Sequence, residues 1–153
     1  MTPESGADRS PGTIVVGIDG SDPSIAAAHW AAEQAGLTGF LLVVIGSWQG
    51  FPAWGTVVPV PGDYDPLADI RSMLDKIVEG LAAAFPAVTI DTRAVTGPPA
   101  EVLIEASRYA DLLVVGSRGH SQVSGMLLGS VSQHCATQAH CSTVIVRTPD
   151  SPA

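Results

Sequence analysis

The sequence predicts an α/β chain of the doubly wound kind, a mostly parallel five-stranded sheet with four helices on its two faces. Three observations carry this. Short apolar runs rich in β-branched residues, at 13–18, 40–45 and 112–115, have the length and make-up of strands buried on both faces. Stretches with helical spacing of apolar residues separate the strand-like runs, so the two kinds of element alternate, and right-handed crossovers then make most strands parallel. The run 112–115 also stops at a glycine and empties into a polar, glycine-spaced loop, at the strand end where such sheets bind ligands.

In chain order, residues 1–12 are polar, include Pro3 and Pro11, and are expected to be a disordered tail. A single domain spans 13–147, and 148–153 form a second short tail. After the strand 13–18 comes Asp19-Gly20-Ser21-Asp22-Pro23, where Ser21 or Asp22 can cap a helix and Pro23 suits its first turn. That helix is expected to reach Ala35 and close at Gly36. Ala26, Ala27, Ala28, Ala31 and Ala32 make it thin enough to lie close to a sheet, with Ile25, His29 or Trp30 adding bulk. A strand at 40–45 precedes an irregular segment, 46–66, rich in Pro, Gly and aromatic residues. Ile70, Leu74, Ile77, Leu81 and Phe85 mark the apolar face of a helix over 67–85, stopped by Pro86. Residues 88–95 alternate, which places a strand with one wet face at the sheet's edge. Pro98-Pro99 opens a helix through Ala110, with Val102, Leu103, Ala106 and Tyr109 toward the sheet. The last strand is 143–146.

The loop after 112–115 is where chemistry concentrates. Leu128, Val131, Cys135 and Ala139 recur at helical spacing, so Gly129 and Ser130 fall at a helix's opening turn, where backbone N–H groups lack partners. Gly116, Gly119 and Gly129 carry no Cβ where a ligand could approach the main chain, and Ser130 and Ser132 offer hydroxyls. A helix N-terminus favours negative charge, so the expected guest is a phosphate. Arg118 is the cation of this loop. Asp19 has two readings: it caps the first helix, or it meets a ribose hydroxyl or a divalent ion beside the phosphates.

The spacing Gly116, two residues, Gly119, nine residues, Gly129-Ser130 resembles the nucleotide loop of the universal stress protein family. So does the first strand ending in Asp19, and the short closing strand of Thr143, Val144, Ile145 and Val146. The resemblance covers nearly the whole chain and implies a Rossmann-like sheet of order 3-2-1-4-5. It places Gly17, Ile18, Asp19 and Ile45 around adenine and ribose, and Gly116, Arg118, Gly119, Gly129, Ser130, Val131 and Ser132 around ribose and phosphates. Val115 lines the same wall. The implied cofactor is ATP or another adenine nucleotide, with Mg2+ or Mn2+ as a partner of the phosphates near Asp19. Implied too are a homodimer through Thr143, Val144, Ile145 and Val146, and a nucleotide-responsive role in the stress response toward an unspecified target.

Composition narrows the alternatives. Seven Lys+Arg against fifteen Asp+Glu, a net charge of −8, cannot build the basic patch that nucleic acid or an anionic membrane demands. No run of eighteen apolar residues and no apolar leader is present, so a cytoplasmic location is expected. Cys135 and Cys141 are expected as reduced, mostly buried thiols about 120° apart around one helix. His134-Cys135 and His140-Cys141 are neighbours that diverge by about 100° on a helix, so packing explains them better than a metal site. A P-loop needs a lysine that this loop lacks, and no Gly-x-Ser-x-Gly elbow occurs. Two rivals remain. One is an enzyme of the adenine-nucleotide α-hydrolase type, which Ile18-Asp19-Gly20-Ser21-Asp22 resembles faintly. The other is a dimerising domain that has lost its nucleotide, against which the glycine spacing speaks. The preferred reading is a binding module without a catalytic residue of its own, with which slow ATP hydrolysis is compatible.

Overall fold

The structure, a computed structural model, describes residues 11–50, 62–119 and 128–148. The strands are β1 (Thr13–Gly17), β2 (Leu41–Trp48), β3 (Ile90–Thr96), β4 (Leu112–Gly116) and β5 (Ser142–Val146). The helices are α1 (Asp22–Thr38), α2 (Pro66–Ala84), α3 (Pro99–Ala106), which runs on into a 3-10 turn at Ser107–Tyr109, and α4 (Ser130–Gln138). The five strands form one sheet of order β3-β2-β1-β4-β5, and all four pairings are parallel.

Alternation along each strand divides the core in two. Ile14, Val16, Leu42, Val44 and Val114 face α1 and α2, while Val15, Val43, Ile45, Leu113 and Val115 face α3 and α4. Both sets are buried, which is why these strands read as unbroken apolar runs. Ala27, Ala28, Ala31, Ala32 and Ala35 of α1 are buried to 2% exposure or less, so this helix lies close to the sheet on small side chains, with Trp30 packed half-buried beside them. α2 instead sends Leu74 and Leu81 inward, each burial contributing about 1.5–3 kcal/mol. Gly46 makes room for it: a Cβ there would stand 2.7 Å from Ile70 Cγ2.

Several boundaries differ from those the sequence predicts. α1 runs through Gly36 and ends at Gly39, whose φ of +75° is the left-handed geometry that glycine adopts at no steric cost. β2 continues to Trp48, taking Gly46 and Ser47 out of the segment expected to be irregular, because β3 pairs with it as far as Trp48↔Thr96. β3 begins at Ile90 rather than residue 88, and lies at the sheet's edge as its wet face predicts. Gly12, expected in the tail, accepts the Leu41 N–H and so belongs to the sheet. Tyr109 does not face the sheet: the helix tightens after Ala106, and the ring is 82% exposed.

Cys141 is not on a helix either, since α4 ends at Gln138. Both cysteines are free, Cys135 buried and Cys141 half-buried. Burial pushes the Cys135 thiol up to about 11, which leaves it protonated and unreactive at neutral pH. Residues 51–61 of the aromatic loop, together with His120, Gly125, Met126 and Leu127, lie outside the described residues, as do 1–10 and 149–153.

Candidate functional site

β1 and β4 are neighbours although α1, β2, α2, β3 and α3 lie between them in the chain, and their carboxyl ends flank the point where strand order reverses. A cavity of about 750 Å3 opens there. Gly17, Ile18, Asp19, Ile45, Val115, Gly116, Arg118, Gly119, Gly129, Ser130, Val131 and Ser132, every residue that the sequence singled out, line it.

The turn after β1 is built on Asp19. Its Oδ1 accepts both the backbone N–H and the hydroxyl of Ser21, and Ser21 caps α1 by accepting the Ser24 N–H. One carboxylate oxygen thus holds the turn into the helix. The other, Oδ2, sits beside Gly119, 2.6 Å from where a Cβ would be. Asp19 therefore stands between the β1 turn and the β4 loop, exposed to the cavity mouth. Ile18 donates its N–H to the Ile45 carbonyl, which ties the ends of β1 and β2 into one apolar floor.

The loop after β4 is pinned at its base. The Ser117 carbonyl accepts the Gly129 N–H at 2.7 Å, and the buried Ser132 hydroxyl lies within donating distance of the Ser117 and Gly129 carbonyls. Ser132 is thus a fastener of the loop, while Ser130, exposed in the first turn of α4, presents its hydroxyl at the cavity edge. The three glycines have different duties. A Cβ at Gly116 would lie 2.7 Å from the Pro23 carbonyl carbon, so this glycine admits α1 rather than a ligand. A Cβ at Gly119 would meet Asp19, whereas one at Gly129 would find, among the described residues, ordinary contacts from 3.4 Å outward.

The helix ends decide the electrostatics. α1 is capped by Ser21 with Asp22 in its first turn, and α2 by Asp65 with Asp69. α3 has no side-chain cap but carries Glu101 in its first turn. α4 alone starts at a glycine, with neither a side-chain cap nor an acid in its first turn. Among the described residues no side chain takes its opening N–H groups, so they and its positive dipole end can meet an anion where Gly129, Ser130 and Val131 line the cavity.

The other wall was not anticipated. Pro98, Pro99, Ala100, Glu101, Val102, Leu103 and Ile104 of α3 line the cavity, with Leu103 set against Gly17, where a Cβ would lie 2.5 Å from Leu103 Cδ1. Ser47 and Gln49 add polar groups at the end of β2, and His134 and Gln138 continue the α4 stripe begun by Ser130. That i, i+4, i+8 spacing is the signal by which the last two could have been found. The His134 Nδ1 donates to the Ser130 carbonyl at 2.8 Å, which fixes the ring over the first turn of α4.

A model of the universal stress protein family matches residues 11–147. The chain belongs to the universal stress protein family. It is 36% identical over 143 residues to the universal stress protein Rv2624c of Mycobacterium tuberculosis, a match covering 92% of this chain and 50% of that protein. A universal stress protein of Mycolicibacterium smegmatis is 33% identical over 135 residues, 88% of this chain and 45% of its own length. The chain thus spans about half the length of the curated relatives it matches. Among solved structures, a universal stress protein in complex with cAMP superposes with a TM-score of 0.70 at 32% identity, covering 92% of this chain and 99% of the other. The universal stress protein UspA from Lactobacillus plantarum shares the fold, with a TM-score of 0.72 at 18% identity over 92% of this chain and 100% of the other. Among the described residues, no helix of this family member is long and apolar enough to cross a membrane.

Proposed function

We propose that this universal stress protein domain binds an adenine nucleotide and acts in the stress response as a nucleotide-responsive module rather than as a catalyst. One observation carries the reading: α4, among the described residues uncapped and without an acid in its first turn, opens into the cavity lined by Gly116, Gly119, Gly129 and the ends of β1 and β2. The phosphate sits on the α4 N-terminus against Gly129, Ser130 and Val131, with Arg118 as its cation. The base lies on the apolar floor of Ile45, Val115 and Leu103. Asp19 takes a ribose hydroxyl, or a Mg2+ or Mn2+ ion where the ligand is ATP. The solved relative in complex with cAMP supports an adenine nucleotide as the ligand.

Ligand at about a hundred times its dissociation constant adds roughly 2.7 kcal/mol to folding stability. For a chain of this size that is a rise of about 5–11 °C in Tm. Differential scanning fluorimetry with millimolar ATP, AMP and cyclic AMP checks it, and a flat response to all three would sink the nucleotide reading.

The reading extends to a second copy of the chain. β5 is an edge strand, with Thr143, Val144, Ile145 and Val146 only half-buried. An antiparallel pairing of β5 with its twin across a two-fold axis would satisfy its open edge. Val144 and Val146 already pack on the α1 side of the core and Ile145 on the α3 side, so the pairing rests on backbone groups and on the exposed flanks of these side chains. Light scattering at micromolar concentration should give twice the chain mass; a monomer mass would refute the dimer.

A further inference from the structure

We infer that Glu101 makes this cavity a charge filter, which takes an adenine nucleotide with a single phosphate in preference to metal-free triphosphate. The inference rests on the adenine-nucleotide reading and deepens it. Four residues with ionisable side chains line the described part of the cavity: Asp19 and Glu101 are carboxylates, Arg118 is a cation, and His134 is an imidazole. Two carboxylates against one guanidinium, histidine left uncounted, give the lining a net negative formal charge. Residues 119–133, which complete the loop and open α4, contain no Lys or Arg.

Two helix N-termini, those of α3 and α4, end on the cavity without a side-chain cap. Two such ends could cradle a polyphosphate between them. Glu101 occupies the first turn of α3 and neutralises that end with the chain's own carboxylate. One place for an anion is left, on α4. A phosphate chain that lengthens on α4 adds negative charge at each step, within a lining that already holds the Asp19 and Glu101 carboxylates. A phosphodiester, with one negative charge, meets little of this repulsion. A divalent cation bound to ATP cancels most of it, with Asp19 within the same lining to complete its shell.

The test is isothermal titration of the full chain with adenosine, cyclic AMP, AMP and ATP in EDTA, then with ATP in excess Mg2+, for the parent and for Glu101→Gln. Glu101 is exposed, so the substitution leaves the core untouched. Metal-free ATP should bind at least about tenfold more weakly than cyclic AMP to the parent, and Mg2+ should recover most of the loss. In Glu101→Gln the ratio of metal-free ATP affinity to adenosine affinity should rise roughly three- to tenfold, a modest change because the carboxylate is solvated. Metal-free ATP binding to the parent as tightly as cyclic AMP would overturn the filter while leaving the nucleotide reading intact. A discrimination that persists unchanged in Glu101→Gln would remove Glu101 from it. Failure of all four compounds to bind would take down the nucleotide reading, and the filter with it.

Discussion

Gly116→Val should cost the fold about 3 kcal/mol, at the upper end for overpacking a well-filled site, and lower Tm by roughly 6–12 °C. The cause is backbone meeting backbone. A Cβ at this position would stand 2.7 Å from the Pro23 carbonyl carbon, 2.8 Å from its oxygen and 2.9 Å from its Cβ. Pro23 is buried in the first turn of α1, where Ser21 and Asp19 hold the turn by side-chain hydrogen bonds. None of these atoms is the free end of a flexible side chain, so relief requires α1 to lift from the end of β4. Gly116→Ala already introduces the clashing atom and should show most of the loss. Urea unfolding followed by circular dichroism measures it; a midpoint within error of the parent would mean that α1 does not seat on β4 as described.

The same position shows what the sequence could and could not convey. The spacing of Gly116, Gly119 and Gly129 was legible, and so was their gathering at one strand end, because strand, loop and helix are consecutive in the chain. The reason for each glycine was not. That Gly116 faces Pro23 follows from α1 packing across β1 onto β4, a contact between elements some 90 residues apart that no local pattern encodes. The α3 wall escaped notice for a similar cause. Pro98-Pro99 marked a helix start, but only the crossover from β3 back over the α3 and α4 face brings Leu103 against Gly17 and Glu101 to the cavity.

Strands were read well where both faces are buried and poorly where pairing sets the length. Val43 and Val44 announce β2 on their own, yet its extension to Trp48 depends on β3 offering partners through Thr96. The end of α1 was a choice between Gly36 and Gly39. A glycine inside a helix costs about 1 kcal/mol relative to alanine, and the sequence alone makes the nearer one the natural stop. The helix pays that at Gly36 and gains the further turn, in which the Gly39 N–H reaches the Ala35 carbonyl.

Gly129→Val is the counterpart of the first substitution, and its expected effect is on binding instead of folding. Gly129 caps α4 with φ −73° and ψ 167°, an extended conformation that valine adopts without strain. A Cβ there would find Arg118 Cα at 3.4 Å, the Ser117 oxygen at 3.5 Å and the Gly119 nitrogen at 3.6 Å, contacts that the loop accommodates. Glycine is a better N-cap than valine by no more than about 1 kcal/mol, so the domain should remain folded. The branched methyls, however, would stand over the open N–H groups of α4, in the place proposed for the phosphate. A phosphate shut out of that place loses several charge-assisted hydrogen bonds together, each worth about 1.5–3 kcal/mol, so affinity should fall by at least about a hundredfold. Titration of the variant with AMP or cyclic AMP, beside a urea midpoint close to the parent's, would show both halves. Undiminished nucleotide affinity in a folded Gly129→Val would mean that the phosphate does not rest on α4, since a ligand held there has no route around a side chain set between it and the helix.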